Sequence, residues 1–251
     1  MKANEGKLRV MENIEALAEA GADVLLETAL EGGIEGTRVA LSGGSTPKHV
    51  YQALQQRGES AASVLRRVDF FFGDERTVPN DHPDSNIGLA EQHLFQPLGV
   101  PEERIHRYNG GAEDLEAEAE LATRDLHSSL PQNAQGVPVF DLIFLGMGPD
   151  GHTASLFPGT AALQKDAPGF VVNEVPQLET TRLTLTYPVL NAAKRVVILC
   201  AGADKSPVLK EIFDGSEARL RFPIERVDAE RLEWLVDPEA AAELAAPFKS
   251  Q

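Results

Sequence analysis

Apolar and polar positions along the chain fall into blocks that switch between helical and strand periods. Over residues 12–30, ENIEALAEAGADVLLETAL, apolar residues recur at helical spacing, and the block ends at Gly32-Gly33, which suits a helix stop. TRVALS (37–42) reads as a short strand. PKHVYQALQQRG, from Pro47 to Gly58, reads as a second helix with proline in its first turn. VDFFFGD (68–74) is the next strand, followed by a helix from about Ser85 to Phe95, a short strand around RIHRY, and a long acidic helix from about Glu113 to Leu130. PVFDLIFLG (138–146) is the most apolar stretch, as expected of a mid-sheet strand covered on both faces. FVVNEV, RLTLTY and RVVILCAG supply further strands, and DKSPVLKEIFDG and DPEAAAELAAPF further helices.

No internal repeat, low-complexity tract or Pro/Gly-rich linker divides this alternation. The expectation is therefore one α/β domain over residues 1–251, with a largely parallel sheet and helices on both faces. Apolar runs such as VVILCA are too short to span a bilayer, and the first 21 residues lack the apolar region of a signal peptide, so a cytoplasmic protein is expected. The formal net charge of -16, with scattered basic residues, argues against nucleic acid or an anionic membrane as partner. An anionic substrate would then need a local cluster of cations and backbone N–H groups. Cys200, the single cysteine, lies in an apolar strand and reads as core.

In open α/β sheets, ligands bind beyond the carboxyl ends of the strands, and three unusual segments fall there. In the first, LSGGSTP, Gly43 and Gly44 permit a tight turn, and Ser42, Ser45 and Thr46 offer hydroxyls. The helix that follows aims its free N–H groups at the same place. These residues fit an anion, most naturally phosphate, and fit equally an ordinary strand-to-helix turn with a serine or threonine cap. No Gly-Lys-Ser/Thr follows, so this is not a P-loop. In the second, Asp74 and Glu75 suit sugar hydroxyls and Arg76 a phosphate or a developing anion. The plainer alternative is a loop in which Asp74 caps a turn and Glu75 pairs with Arg76 in solvent. Downstream, DHPDSN looks like turn chemistry ending in a helix cap at Asp84 or Ser85.

The third segment is LGMGPDGHTASLFPG. Its glycines at 146, 148 and 151 match G-x-G-x-x-G in spacing alone, with no acidic residue about 20 positions on after a second strand, so NAD is not expected. Asp150 and His152 are too few to hold a metal, and His49, His82, His93, His106 and His127 form no ligand pattern. His152 remains as an acid or base, with Asp150 two residues away to orient its ring, or else as a structural histidine.

Together LSGGSTPKHVYQAL, DFFFGDERTVPNDHPDSN and FDLIFLGMGPDGHTASLFPG resemble the 6-phosphogluconolactonases, of the glucosamine-6-phosphate isomerase/6-phosphogluconolactonase family, in order and spacing over nearly the whole chain. The resemblance implies an α/β protein, a three-layer α/β/α sandwich around a mainly parallel sheet, similar to glucosamine-6-phosphate deaminase and ribose-5-phosphate isomerase. It implies hydrolysis of 6-phospho-D-glucono-1,5-lactone with no metal and no organic cofactor. The partner is then a small sugar phosphate lactone, not nucleic acid or membrane, with a monomer as the working expectation.

On that reading His152, oriented by Asp150, activates water, and N–H groups around Gly146, Gly148 and Gly151, or Arg76, hold the oxyanion. The phosphate sits on Ser42, Gly43, Gly44, Ser45 and Thr46 with help from Arg182 and Lys205, either of which can equally be a plain surface cation. Asp74 and Glu75 bind hydroxyls. Two alternatives stand beside it. A glucosamine-6-phosphate deaminase resembles DEY and DGHIAFNEP where this chain has DER and DGHTASLFP, lacking the glutamate of the second motif. A non-catalytic sugar-phosphate-sensing domain of a transcription regulator would bring a DNA-binding segment, which residues 1–36 do not suggest.

Overall fold

The computed structural model describes residues 6–32, 36–214 and 221–245. Gly33, half of the expected helix stop, and positions 246–248 of the last expected helix lie outside them. Strand β1 (Lys7–Val10) leads into helix α1 (Ile14–Glu31), whose N-cap Asn13 accepts the Ala16 N–H at 2.7 Å. That bond satisfies one of the helix's orphan donors, and Leu17, Val24 and Leu25 on one face are buried. Then follow β2 (Thr37–Leu41), α2 (Ser45–Gln56), α3 (Glu59–Leu65), β3 (Val68–Phe72) and β4 (Asp74–Arg76). Next come α4 (Asn86–Ala90), a π-helical turn over Glu91–Phe95, α5 (Gln96–Leu98), α6 (Leu115–Ser129) and β5 (Leu142–Gly146). The chain continues through β6 (Phe170–Val175), β7 (Thr180–Leu185), α7 (Tyr187–Ala192), β8 (Arg195–Cys200), α8 (Ser206–Asp214) and β9 (Arg231–Val236).

Six strands form one sheet in the order β1-β9-β8-β5-β2-β3, every neighbouring pair parallel. β5 and β8 lie at its centre, and Leu142–Leu145 and all of Arg195–Cys200 are buried, as strands covered on both faces must be. The molecule is thus an α/β sandwich around a mainly parallel sheet. Cys200 is buried and its thiol is pushed up to about 12 by that burial, which leaves no thiolate for chemistry. Among the described residues no helix is long and apolar enough to cross a membrane.

Several elements differ from the sequence reading. FVVNEV and RLTLTY, read as strands with no stated partner, are β6 and β7 of a separate antiparallel sheet ordered β4-β7-β6. The chain changes sheets at Gly73, whose N–H donates to Leu41 O at the end of β2 and whose carbonyl accepts from Leu185 of β7. RIHRY makes only a single bridge, Ile105 to Phe70, and is not a strand. Residues 238–243, expected to be helical, form turns in which Asp237 accepts the Ala240 and Ala241 N–H groups. Strands β1 and β9 and helices α3 and α7 were not expected. α2 begins at Ser45, two residues before Pro47.

Candidate active site

The SGGST turn is held from behind. Tyr51 Oη donates to the carbonyl of Ser42 at 2.6 Å, fixing the end of β2 against α2. Gly43 is backed by Asn86: a Cβ at position 43 would lie 1.6 Å from Asn86 Oδ1. Gly44, at φ 102, is the N-cap of α2, and no side chain caps the helix, so the serine or threonine cap allowed by the sequence is not made. The first-turn N–H groups have no acceptor within the helix and face a cleft of about 450 Å³ that Ser42, Gly43, Gly44, Ser45 and Thr46 line. Lys205 lines the same cleft from the turn before α8, its Nζ 2.6 Å from Asp204 Oδ2.

Asp74, Glu75 and Arg76 stand on β4, not in a loop, and a strand sends alternate side chains to opposite sides. Asp74 and Arg76 line the cleft. Glu75 points the other way, fully buried, and accepts from the N–H groups of Arg76 (2.6 Å), Asn86 (2.8 Å) and Ile87 (2.8 Å) and from Ser85 Oγ (2.9 Å). Neither expectation for Glu75 holds, the hydroxyl ligand or the solvent pair with Arg76; it satisfies the N-terminus of α4, whose cap is Ser85. Burial raises its carboxyl above the ordinary range, and the four donated hydrogen bonds only partly offset that.

Asp74 Oδ2 accepts from Ser155 Oγ at 2.6 Å, and Oδ1 from Asn86 Nδ2 at 3.2 Å. Arg76 is steadied by donation to Asp84 O at 2.8 Å. Arg182 pairs with Arg76 across β7 and β4 but does not line the cleft. Its Nη1 donates to Thr180 Oγ1 at 2.6 Å and Thr181 O at 2.9 Å, and burial, then the charge of Arg76, lower its pKa.

Beyond β5 the glycine-rich segment folds on itself. His152 lines the cleft, its Nδ1 is 2.5 Å from Asp150 Oδ1, and its ring stacks on Phe157 at 4.0 Å between centroids. With Nδ1 taken by Asp150, Nε2 is the nitrogen left to accept a proton. Burial works to raise the Asp150 carboxyl, but hydrogen bonds and charge from His152 outweigh it and hold the carboxyl below its ordinary range. A Cβ at Gly148 would lie 2.1 Å from the His152 ring, so only glycine lets the turn close this tightly.

The expectation that this loop supplies oxyanion donors fails at two of its three glycines. The Gly148 N–H is given to His152 O (2.9 Å) and the Gly151 N–H to Gly148 O (3.0 Å). Gly146 lines the cleft, its carbonyl accepting from Thr153 Oγ1 at 2.8 Å. Arg76, the other oxyanion candidate read from the sequence, lines the cleft together with Gly146.

Sequence reasoning missed Asn86, Met147, Ala154, Gly202 and Asp204 in the cleft wall and Ser155 behind it. The only signal for Asn86 was its place one residue past a predicted cap. Among the described residues no group of three or more His, Cys, Asp or Glu side chains is arranged to hold a metal ion.

The family model of glucosamine-6-phosphate isomerases/6-phosphogluconolactonase matches residues 12–236. The chain is 41% identical over 208 residues to a 6-phosphogluconolactonase of Synechocystis sp., covering 82% of this chain and 84% of that one. It is 36% identical over 255 residues to a human 6-phosphogluconolactonase, covering 97% and 96%. The solved structure of the 6-phosphogluconolactonase from Trypanosoma brucei superposes with a TM-score of 0.84 at 30% identity, covering 96% of this chain and 99% of that one.

Proposed function

Because the chain belongs to the family of glucosamine-6-phosphate isomerases and 6-phosphogluconolactonases, we infer that it hydrolyses 6-phospho-D-glucono-1,5-lactone to 6-phospho-D-gluconate, the lactonase step of the oxidative pentose phosphate pathway. The observation that carries this reading is the union, in one cleft, of an uncapped helix N-terminus with the His152–Asp150 pair.

The phosphate docks on Ser42, Gly43, Gly44, Ser45 and Thr46, with Lys205 as its cation and Arg182 adding positive charge behind Arg76. Asp74, fixed by Ser155 and Asn86, keeps lone pairs for ring hydroxyls. That orientation brings the lactone carbonyl toward His152. Nε2 takes a proton from water as the oxygen attacks, and Asp150 stabilises the imidazolium that forms. Arg76 offsets the oxyanion's charge. Collapse breaks the bond to the ring oxygen, which leaves with the proton held on Nε2, so the histidine returns to its starting state. General-base catalysis is worth about 10²- to 10⁴-fold and an oxyanion donor about 10²- to 10³-fold. A reactive δ-lactone needs no covalent nucleophile beyond these.

The deaminase alternative is disfavoured at Phe157. This residue holds the place of the deaminase motif's glutamate, and its apolar ring covers one face of His152. Every group in the scheme comes from one chain, which fits a monomer, and a cytoplasmic location remains part of the proposal. The test mixes purified protein with freshly made 6-phosphogluconolactone and follows acid release. Turnover above the spontaneous rate is expected, and no acceleration would overturn the assignment.

A further inference from the structure

Among the described residues two non-glycine positions have positive φ, Ala154 at 46° and Glu179 at 48°. Glu179 ends an exposed turn between β6 and β7. Ala154 lines the active-site cleft two residues after His152. It occupies the second position of a turn closed by the Leu156 N–H to Thr153 O at 2.9 Å, where a positive φ calls for glycine. A left-handed alanine is strained, and such strain persists only where the surroundings over-determine it.

The surroundings do so on both sides. Before Ala154, Thr153 Oγ1 donates to Gly146 O at the end of β5. After it, every polar group of Ser155 is engaged on the second sheet. Its N–H donates to Thr184 Oγ1 (3.2 Å), its hydroxyl to Asp74 Oδ2 (2.6 Å), and its carbonyl accepts from Asn173 Nδ2 (2.8 Å). The strained residue is thus the link between a clamp on the parallel sheet and a clamp on the antiparallel one, with His152 just upstream.

We propose that Ala154 is a positioning residue whose Cβ restricts this link to one backbone conformation and so holds His152 in register with substrate bound across the two sheets. Glycine would suit the φ better but would leave the link loose, so backbone comfort is given up for alignment. The inference rests on the hydrolase reading above and extends it to a residue that need not touch the reacting atoms.

Ala154→Gly relieves the strain, and Tm should rise by about 2–4 °C. Its kcat should fall by about tenfold, because orientation at the reacting atoms is lost, while KM and the Ki for inorganic phosphate stay within about twofold of wild type. Ala154→Ser keeps the Cβ and should retain wild-type kcat. Glu179→Gly relieves a similar strain outside the cleft wall and should raise Tm with kcat unchanged. A residue with a purely structural role would not give higher stability together with lower kcat and intact phosphate binding. A glycine variant with kcat within twofold of wild type, a glycine variant with lowered Tm, a serine variant as slow as the glycine one, or a kcat loss accompanied by an equal loss of phosphate binding would each overturn the proposal. Wild-type turnover is measured first. Its absence removes the hydrolase reading itself, whereas an active wild type with an unaffected glycine variant removes this inference alone.

Discussion

Gly43→Ala should be among the most damaging one-carbon changes in the molecule. Its Cβ would stand 1.6 Å from Asn86 Oδ1 and 2.3 Å from Cγ, and Asn86 cannot swing aside freely. The amide donates to Asp74 O at 2.9 Å and to Asp74 Oδ1 at 3.2 Å, both in buried surroundings. Displacing it forfeits one neutral hydrogen bond, worth about 1 kcal/mol, and one to a carboxylate, worth about 1.5–3 kcal/mol. The sum is about 2.5–4 kcal/mol, which for a chain of this length lowers Tm by about 5–16 °C. The assay is thermal unfolding followed by circular dichroism, beside the Ki of inorganic phosphate, which should weaken as the loop N–H groups shift. The cause is isolated by a double-mutant cycle. Asn86→Ala removes the obstruction, so the double variant should cost little more than Asn86→Ala alone. Losses that add to within about 0.5 kcal/mol, or a single Gly43→Ala variant melting within about 2 °C of wild type, would refute the reasoning.

His152→Ala should cut kcat by about 10²-fold or more with Tm and phosphate Ki near wild type, as steady-state kinetics and competition will show. Asp150→Asn should lower kcat by disturbing the imidazole it orients. Because the folded-state pKa of Asp150 lies below its ordinary 3.8, the stability it lends is present above that pH and lost as pH falls further. The gap in urea midpoint between wild type and Asp150→Asn should therefore be constant at neutral pH and close in strong acid. Glucono-1,5-lactone without phosphate should show both lower kcat and higher KM, since anchoring energy also aligns the carbonyl, and equal kcat/KM for the two lactones would displace the phosphate from α2.

Much of the parallel sheet was legible because its central strands are unbroken apolar runs. β9 was not, because RLEWLV carries Glu233 mid-strand, and only the folded chain shows that carboxylate buried against Arg195 (2.9 Å) and Arg231 (2.9 Å). β1 escaped notice for a related reason: its four residues are mostly polar or half-exposed and become a strand only by pairing with β9. In the site, Asp150 and His152 were readable because two residues of separation suffice for their contact. The roles of Gly148 and Gly151 were misread because glycine spacing shows where the backbone can approach closely and says nothing of which acceptor it meets. Glu75 was misassigned because strand and loop distribute three consecutive charges differently.

The shortness of β4 has a consequence for how this region can change. In three residues it presents a carboxylate and a guanidinium to the cleft and hides a second carboxylate behind them, so its output depends on odd and even position alone. Inserting one residue between Gly73 and Asp74, or deleting Gly73, would exchange the two sides, bringing Glu75 into the cleft and driving Asp74 and Arg76 against the start of α4. The cleft would lose its central cation, and the α4 N-terminus would meet a guanidinium where it now meets a carboxylate. This stretch is therefore constrained in length through both sides of β4 at once, the cleft on one and the start of α4 on the other.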